Sequence, residues 1–391
     1  MTRTDRCQAC GHEGMRPFFE VAEIPIHSCL LMRTREQALD IARRDLELGF
    51  CPACGFVQNL VFDAAVHSYS PEYEETQAFS ETFNSFARQL VEGYVERYDI
   101  RDKRILEIGC GKGEFLVRMC EAGGNRGLGI DPGYRPERTT TEADVRFLNE
   151  FYDESHGSYE ADVILCRHTL EHIQPVRELV RTVRRSIGDR RDVVVLFELP
   201  AVERILEDQA FEDVYYEHCS YFSLGSLARL FRASGFEVTH LSKAYDDQYL
   251  LIDAVPADGP TRARLPEEDD LELLTDLVEA YRTEAPRKVA GWRDDCERAA
   301  GAGRRTVLWG GGSKAVSFLT TCGIGAEVDR VVDINPHKHG KFLPGTGHPV
   351  VAPRDLRDAP PDRVIVMNPI YVDEIRKDLE AMGLAPQILT P

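Results

Sequence analysis

Four cysteines near the N-terminus carry the most specific chemistry in the sequence. Cys7 and Cys10 form one Cys-x-x-Cys pair, Cys51 and Cys54 a second, and a glycine follows each pair. Two intervening residues let both sulfurs of a pair face one point. Two such knuckles supply four thiolates in a tetrahedron, the ligand set of a structural zinc ion. The glycine suits a tight turn that needs positive φ. The alternatives are a redox pair, which would stand singly at a helix start, and a pair of disulfides. Four protein ligands leave no open coordination position, so the expected ion organises structure and takes no part in catalysis. The stretch 11–50 is long for a compact finger, so a small subdomain is expected between the knuckles.

A second concentration of reactive groups is Phe211-Glu-Asp-Val-Tyr215-Tyr216-Glu217-His218-Cys-Ser-Tyr-Phe-Ser. Imidazole is the side chain whose unperturbed pKa suits acid/base work near neutrality, which makes His218 a candidate base. Glu217 is a candidate to orient that imidazole, although adjacent residues need not meet. Packing aromatics are the alternative. Upstream, Cys166-Arg-His168-Thr-Leu-Glu171-His172 offers further acid/base groups. For His172, packing beneath the neighbouring glycine loop is expected over a catalytic role.

That loop is Leu106-Glu107-Ile108-Gly109-Cys110-Gly111-Lys112-Gly113-Glu114. Strand, Gly-x-Gly-x-Gly turn and helix together indicate a ligand that approaches the backbone closely. The next strand ends in Ile130-Asp131-Pro132, where an acid can accept hydrogen bonds from both ribose hydroxyls of an adenosine. This combination resembles the class I S-adenosylmethionine-dependent methyltransferases. A dehydrogenase site and a ligand-free structural turn are the alternatives. The resemblance implies that Glu107, Gly109, Gly111, Gly113, Asp131 and His168 bind the cofactor. A second glycine turn, Gly310-Gly311-Gly312-Ser313-Lys314, opens another helix, whose N-terminus favours anions. With Asp333-Ile-Asn335 it suits a nucleoside diphosphate or NAD, or is purely structural.

The elements that must hold these groups follow from periodicity. Residues 1–66 carry the knuckles and a strand, Asp45 to Cys51. Residues 67–255 begin with Tyr69-Ser-Pro-Glu-Tyr73 and an amphipathic helix over Thr76 to Tyr98. Strands then alternate with helices: Arg104 to Gly109, Arg126 to Asp131, a third at Ala161 to Cys166 and a fourth at Asp192 to Leu199. Phe236 to Leu241 and Tyr249 to Val255 read as an antiparallel closing pair. After a Pro- and acid-rich linker (256–270), residues 256–391 start a long helix interrupted near Pro286, then repeat the β/α rhythm. Such alternation predicts an α/β fold with mostly parallel, doubly wound sheets.

The chain has 391 residues, 43% apolar and 29% charged, too long for one core. Its net charge of −19 argues against nucleic acid as a partner. No apolar run is long enough to span a membrane, the N-terminus lacks a signal-peptide pattern, and 11 cysteines point to a reducing, cytoplasmic setting. The oligomeric state stays open.

Taken whole, the order of a four-cysteine zinc subdomain, a methyltransferase core and a second Rossmann-like domain resembles the deoxysugar C-methyltransferases of antibiotic biosynthesis. Tyr215-Tyr-Glu-His-Cys-Ser-Tyr-Phe-Ser and Asp333-Ile-Asn-Pro-His-Lys-His-Gly-Lys-Phe-Leu-Pro-Gly carry the resemblance, with the knuckles. Tyr216 stands where the family has His, and Gly-Cys-Gly-Lys-Gly is the general methyltransferase loop in place of the family's Gly-x-Asn-Asp-Gly. The resemblance implies methylation of a nucleotide-linked 4-keto-6-deoxysugar next to its ketone. His218 would be the base, Tyr215 or Tyr73 the donor to an enolate oxygen, and Glu217 the support of His218 or a sugar hydroxyl. Gly310, Gly312, Ser313, Lys314 and Asn335 would bind substrate. O- or N-methylation and a non-catalytic nucleotide-binding scaffold are the alternative functions.

Overall fold

Beyond residue 100, the β/α rhythm builds two sheets of predominantly parallel strands, and the N-terminal segment builds a third. The computed structural model describes residues 3–66, 72–257, 259 and 263–391. Of the Tyr69-to-Tyr73 segment, residues 69–71 lie outside the described residues, as do 258 and 260–262 of the linker.

The largest sheet has seven strands, ordered Phe236–Ala244, Tyr249–Pro256, Val194–Pro200, Val163–Arg167, Arg104–Ile108, Arg126–Ile130 and Asp144–Leu148. The last five are mutually parallel. The two strands of the expected closing pair are antiparallel to each other, and Tyr249–Pro256 is antiparallel to Val194–Pro200. This is the class I methyltransferase arrangement. The C-terminal sheet is smaller and wholly parallel, with Thr306–Trp309 at its centre.

Several elements depart from expectation. Asp144–Leu148 is an additional edge strand, so Val163–Arg167 is the fourth strand of its sheet, not the third. It is half-exposed, which leaves little apolar signal. The helix expected from Thr76 starts at Glu81, because the Ser80 hydroxyl accepts the Phe83 N–H and caps it. Pro286 does not interrupt the long helix, which runs unbroken over Leu271–Gly301. An internal proline costs about 3 kcal/mol. The buried stripe Leu274, Val278, Tyr281, Ala285, Cys296 and Ala299 offsets it.

The N-terminal lobe is an antiparallel sheet of Arg16–Pro25, Arg43–Phe50 and Val57–Asn59. Its fourth strand, Ser220–Tyr221, comes from just beyond His218. Tyr281 of the long helix meets Phe18 and Phe19 edge-on at 5.9 and 5.2 Å, joining this lobe to the C-terminal sheet. On the other side, Cys7, Cys51 and Cys54 share an apolar cluster with Phe222, Leu227 and Phe231 of the methyltransferase core.

Candidate active site

A cavity of about 560 Å³ opens at the carboxyl ends of both parallel sheets, where doubly wound folds place their ligands. Every catalytic, cofactor and substrate residue expected from sequence lines it except Gly113.

The glycine loop forms one wall. Gly109 has φ +68°, and a Cβ there would fall 1.9 Å from Thr169 Oγ1. Gly111 has φ +54°. Gly113 serves the fold instead. It starts the helix Glu114–Gly123 at φ +80°, and a Cβ would strike the Phe147 ring at 2.5 Å. Asp131 accepts the Gly111 N–H at 2.9 Å and the Gly133 N–H at 2.6 Å, so it holds the loop as well as facing the cavity. Glu107 is 2% exposed, and its Oε2 has no hydrogen-bond partner among the described residues. Burial pushes its carboxyl up to about 8, against the pull of Arg167. The open cradle and the orphaned carboxyl fit S-adenosylmethionine, a ligand with cationic groups.

His168 sits at φ +47°, with Nε2 2.8 Å from Glu198 Oε1 and Nδ1 3.5 Å from Glu171. Burial opposes its charge, but these two carboxylates raise it to about 9, so it is cationic. Arg167 binds the same Glu198 through two hydrogen bonds.

Opposite the loop, His218 Nε2 lies 2.8 Å from the Tyr215 hydroxyl. Burial, with His172 close by, drives His218 well below its ordinary pKa, so the imidazole is neutral. Burial raises Tyr215 well above its own, so the phenol keeps its proton. His172 does not pack beneath the glycine loop: its Nδ1 meets the Glu217 carbonyl at 2.9 Å and its ring stands 4.8 Å from that of His218. Glu217 corrects a second expectation. Its carboxylate accepts the Ser28 N–H at 2.9 Å and the Ser28 hydroxyl, and lies 3.6 Å from His27 Nδ1, so it turns to the N-terminal lobe and not to the His218 ring. Successive residues of a turn point apart, so adjacency misled. Tyr73 contacts the same His27 through its hydroxyl. Sequence reasoning missed His27, Ser28 and Cys29, which follow a strand end with no motif around them. Tyr216 is buried against Phe62, accepting the Asp63 N–H, away from the cavity.

The C-terminal turn repeats the first one's construction. Asp333 accepts the Gly311 N–H at 2.7 Å and the Asn335 N–H at 2.8 Å, as Asp131 does with Gly111 and Gly133. Here, however, Lys338 Nζ lies 3.1 Å from Asp333 Oδ2. The candidate substrate residues also have protein partners: Lys314 pairs with Asp213 at 2.7 Å, Asn335 donates to Glu74 at 2.9 Å, and Ser313 Oγ lies 3.1 Å from Cys29 Sγ. Glu74 also binds Arg138 at 2.8 Å; although burial opposes it, Arg138 and Asn335 lower its carboxyl to about 2.

Outside the cavity, the four knuckle sulfurs lie within 4.8 Å of one another. Cys7 and Cys54 approach to 3.7 Å and Cys10 and Cys51 to 3.6 Å. Zinc–sulfur bonds of about 2.3 Å give a tetrahedral edge of about 3.8 Å. Gly11 and Gly55 have φ of +81° and +75°, as the knuckle turns require. Hydrogen bonds from Cys54 and Cys7 draw the Cys51 thiol down, while the bond with Cys51 pushes Cys54 up. Four thiolates this close would need a cation between them, and the spacing suits zinc.

Fold and site define a class I S-adenosylmethionine-dependent methyltransferase. The family model described as a methyltransferase domain matches residues 80–241, and that described as a C-methyltransferase C-terminal domain matches residues 262–385. The C-methyltransferase NovU of Streptomyces niveus is 25% identical over 394 positions, covering 95% of this chain and 91% of NovU. The chain is thus similar to a C-methyltransferase along nearly its whole length, with a C-methyltransferase C-terminal domain behind a methyltransferase domain. Among solved structures, a putative S-adenosylmethionine-dependent methyltransferase from Listeria monocytogenes matches 45% of this chain and 100% of its own, at 15% identity and a TM-score of 0.35. Magnesium protoporphyrin IX methyltransferase from Synechocystis matches 45% and 84%, at 12% identity and a TM-score of 0.36. Among the described residues, no helix is long and apolar enough to cross a membrane.

Proposed function

We propose that the protein methylates a carbon next to the ketone of a small keto-sugar, a nucleoside-diphosphate-linked 4-keto-6-deoxysugar. The observation that carries this reading is the His218–Tyr215 pair. A neutral buried imidazole and a protonated phenol, 2.8 Å apart, face the same cavity as the cofactor loop. His218 removes the proton next to the ketone. Tyr215, or Tyr73 across the cavity, donates a hydrogen bond to the enolate oxygen that forms. Glu217 acts at one remove, holding Ser28 and, beside it, the His27 imidazole that Tyr73 contacts. Bound at Glu107, Gly109, Gly111, Asp131 and His168, S-adenosylmethionine supplies an electrophilic methyl group. Kinship with NovU supports carbon as the methylated atom.

The chain divides functionally at 1–66, 67–255 and 256–391. Cys7, Cys10, Cys51 and Cys54 hold structural zinc, whose thiolate ligands suit a reducing cytoplasm. The region 256–391, with Gly310, Gly312, Ser313, Lys314 and Asn335, closes the cavity over the nucleotide end of the substrate.

His218→Ala should bind S-adenosylmethionine as the native protein does and lose methyl transfer by about 10²–10⁴-fold. Undiminished turnover would refute the base assignment. Product NMR separates a new C–CH3 from an O–CH3 or N–CH3. The native protein should also exchange deuterium at the α-carbon of the keto-sugar without cofactor.

A further inference from the structure

A second group of metal-ligating side chains lies inside the cavity. Glu171, His172 and His218 each offer one ligand atom, all within 4.8 Å of one another, and all three residues line the cavity. They come from two segments, the turn after Val163–Arg167 and the segment before Ser220–Tyr221, tied together by the Cys219 N–H donating to the Glu171 carbonyl at 3.0 Å.

The surroundings of each ligand favour a cation. Glu171 is 2% exposed, and among the described residues neither carboxylate oxygen accepts a hydrogen bond; its nearest cationic neighbour is His168 Nδ1, at 3.5 Å from Oε1. With one imidazolium at 3.5 Å and no hydrogen bond, this buried carboxylate keeps lone pairs for a further cation. His172 spends Nδ1 on the Glu217 carbonyl, which leaves Nε2 for a ligand. His218 spends Nε2 on the Tyr215 hydroxyl, and its Nδ1 is buried with no hydrogen-bond partner among the described residues. Each imidazole thus has one nitrogen held by an oxygen and the other spare, as metal-bound histidines characteristically do.

We infer that Glu171, His172 and His218 form a binding site for a divalent first-row transition metal ion such as Zn²⁺, and that the bound ion switches methyl transfer off. Two imidazoles and one carboxylate suit Zn²⁺, Co²⁺ or Ni²⁺; Mg²⁺ prefers an all-oxygen shell. Bonds of about 2.1 Å place tetrahedral ligands about 3.4 Å apart, so small side-chain rotations close the set. Three protein ligands leave a position open towards the cavity. The switching effect rests on the reading of His218 as the base. An imidazole that has given its lone pair to a metal carries a proton on the other nitrogen and cannot accept one from substrate. The ion binds reversibly, and no bond in substrate or cofactor is made or broken by it.

The test uses the full-length protein with its knuckle zinc in place. Equilibration with Zn²⁺ should give two ions per chain, the second with micromolar affinity, and Glu171→Gln or His172→Gln should each return the count to one. Co²⁺ in the second site of the native protein should show weak d–d bands of nitrogen and oxygen ligation, distinct from the strong thiolate bands of the knuckle. This arm needs no variant to fold. A single ion in the native protein, or a second ion kept by both variants, overturns the site. Zn²⁺ should inhibit methyl transfer at the concentration that fills the second site, and a chelator that spares the knuckle should restore it. In His172→Gln the inhibition constant should rise at least tenfold, measured against that variant's own metal-free rate. Equal turnover with the second site filled or stripped overturns the switch. Absence of product even in the stripped protein would overturn the keto-sugar reading instead, leaving the metal count as an independent measure of the site.

Discussion

Cofactor affinity should climb with pH, and Glu107 should be the cause. Its carboxyl, buried at the end of Arg104–Ile108 and raised to about 8, is mostly neutral at pH 6–7. S-adenosylmethionine brings cationic groups into the same wall of the cavity, and these favour the carboxylate. Below pH 8, binding must therefore expel a proton, so affinity rises with pH and levels off above 8. With a free-state pKa of about 8 and the bound carboxyl ionised throughout, affinity grows about fiftyfold from pH 6 to pH 8, roughly 2.3 kcal/mol. His168, held cationic up to about 9 by Glu171 and Glu198 against its burial, is largely silent in this window. Calorimetric titration in buffers of different ionisation enthalpy counts the protons: about 0.9 released at pH 7, about half at pH 8. Glu107→Gln should bind with an affinity flat in pH. A flat profile in the native protein, or the same slope in the Gln variant, would refute the reasoning.

Other perturbations have equally definite outcomes. Cys54→Ser should lose the knuckle ion, detected by metal analysis, and with it the N-terminal lobe, since structural zinc contributes an apparent 10–16 kcal/mol, on the order measured for zinc fingers. Gly113→Ala should cost at least about 1–2 kcal/mol from its φ of +80° alone, with the Phe147 contact adding more, read as a lower denaturation midpoint. Tyr73→Phe should bind cofactor normally; a kcat loss of about 10²–10³ assigns its hydroxyl to the enolate, and an unchanged kcat leaves that role to Tyr215 alone. Pro286→Ala should stabilise by up to about 3 kcal/mol, because the helix already continues through that position.

The parts of the fold most legible in the sequence were those where one physical requirement dominates. The knuckles, the glycine turns and the buried parallel strands are of this kind. Asp144–Leu148, Val350–Val351 and Gln387–Leu389 escaped notice because short edge strands need little apolar sequence. Pro286 misled because tertiary burial outweighed a local rule. In the cavity, His218 could be proposed as a base from residue type, and Tyr215 as a donor through the family resemblance. The partners of Glu217 could not: Ser28 is 189 residues away, and only the folded chain brings the two together. Likewise, the ion pair between Lys338 and Asp333 gives the second glycine turn a different electrostatic character from the first, although the two motifs read alike.

The strand Ser220–Tyr221 bears on how such enzymes can be recombined. It completes the N-terminal sheet from a position two residues past His218, while Cys219 pairs its backbone with Asn59 and Glu171. A chimera that exchanges residues 1–66 as a block with a relative would bring in three strands and leave the fourth behind, mismatched in register and side chains. Successful grafts should need the 215–223 segment transplanted with the lobe, so the inheritable unit is discontinuous in the gene although contiguous in space.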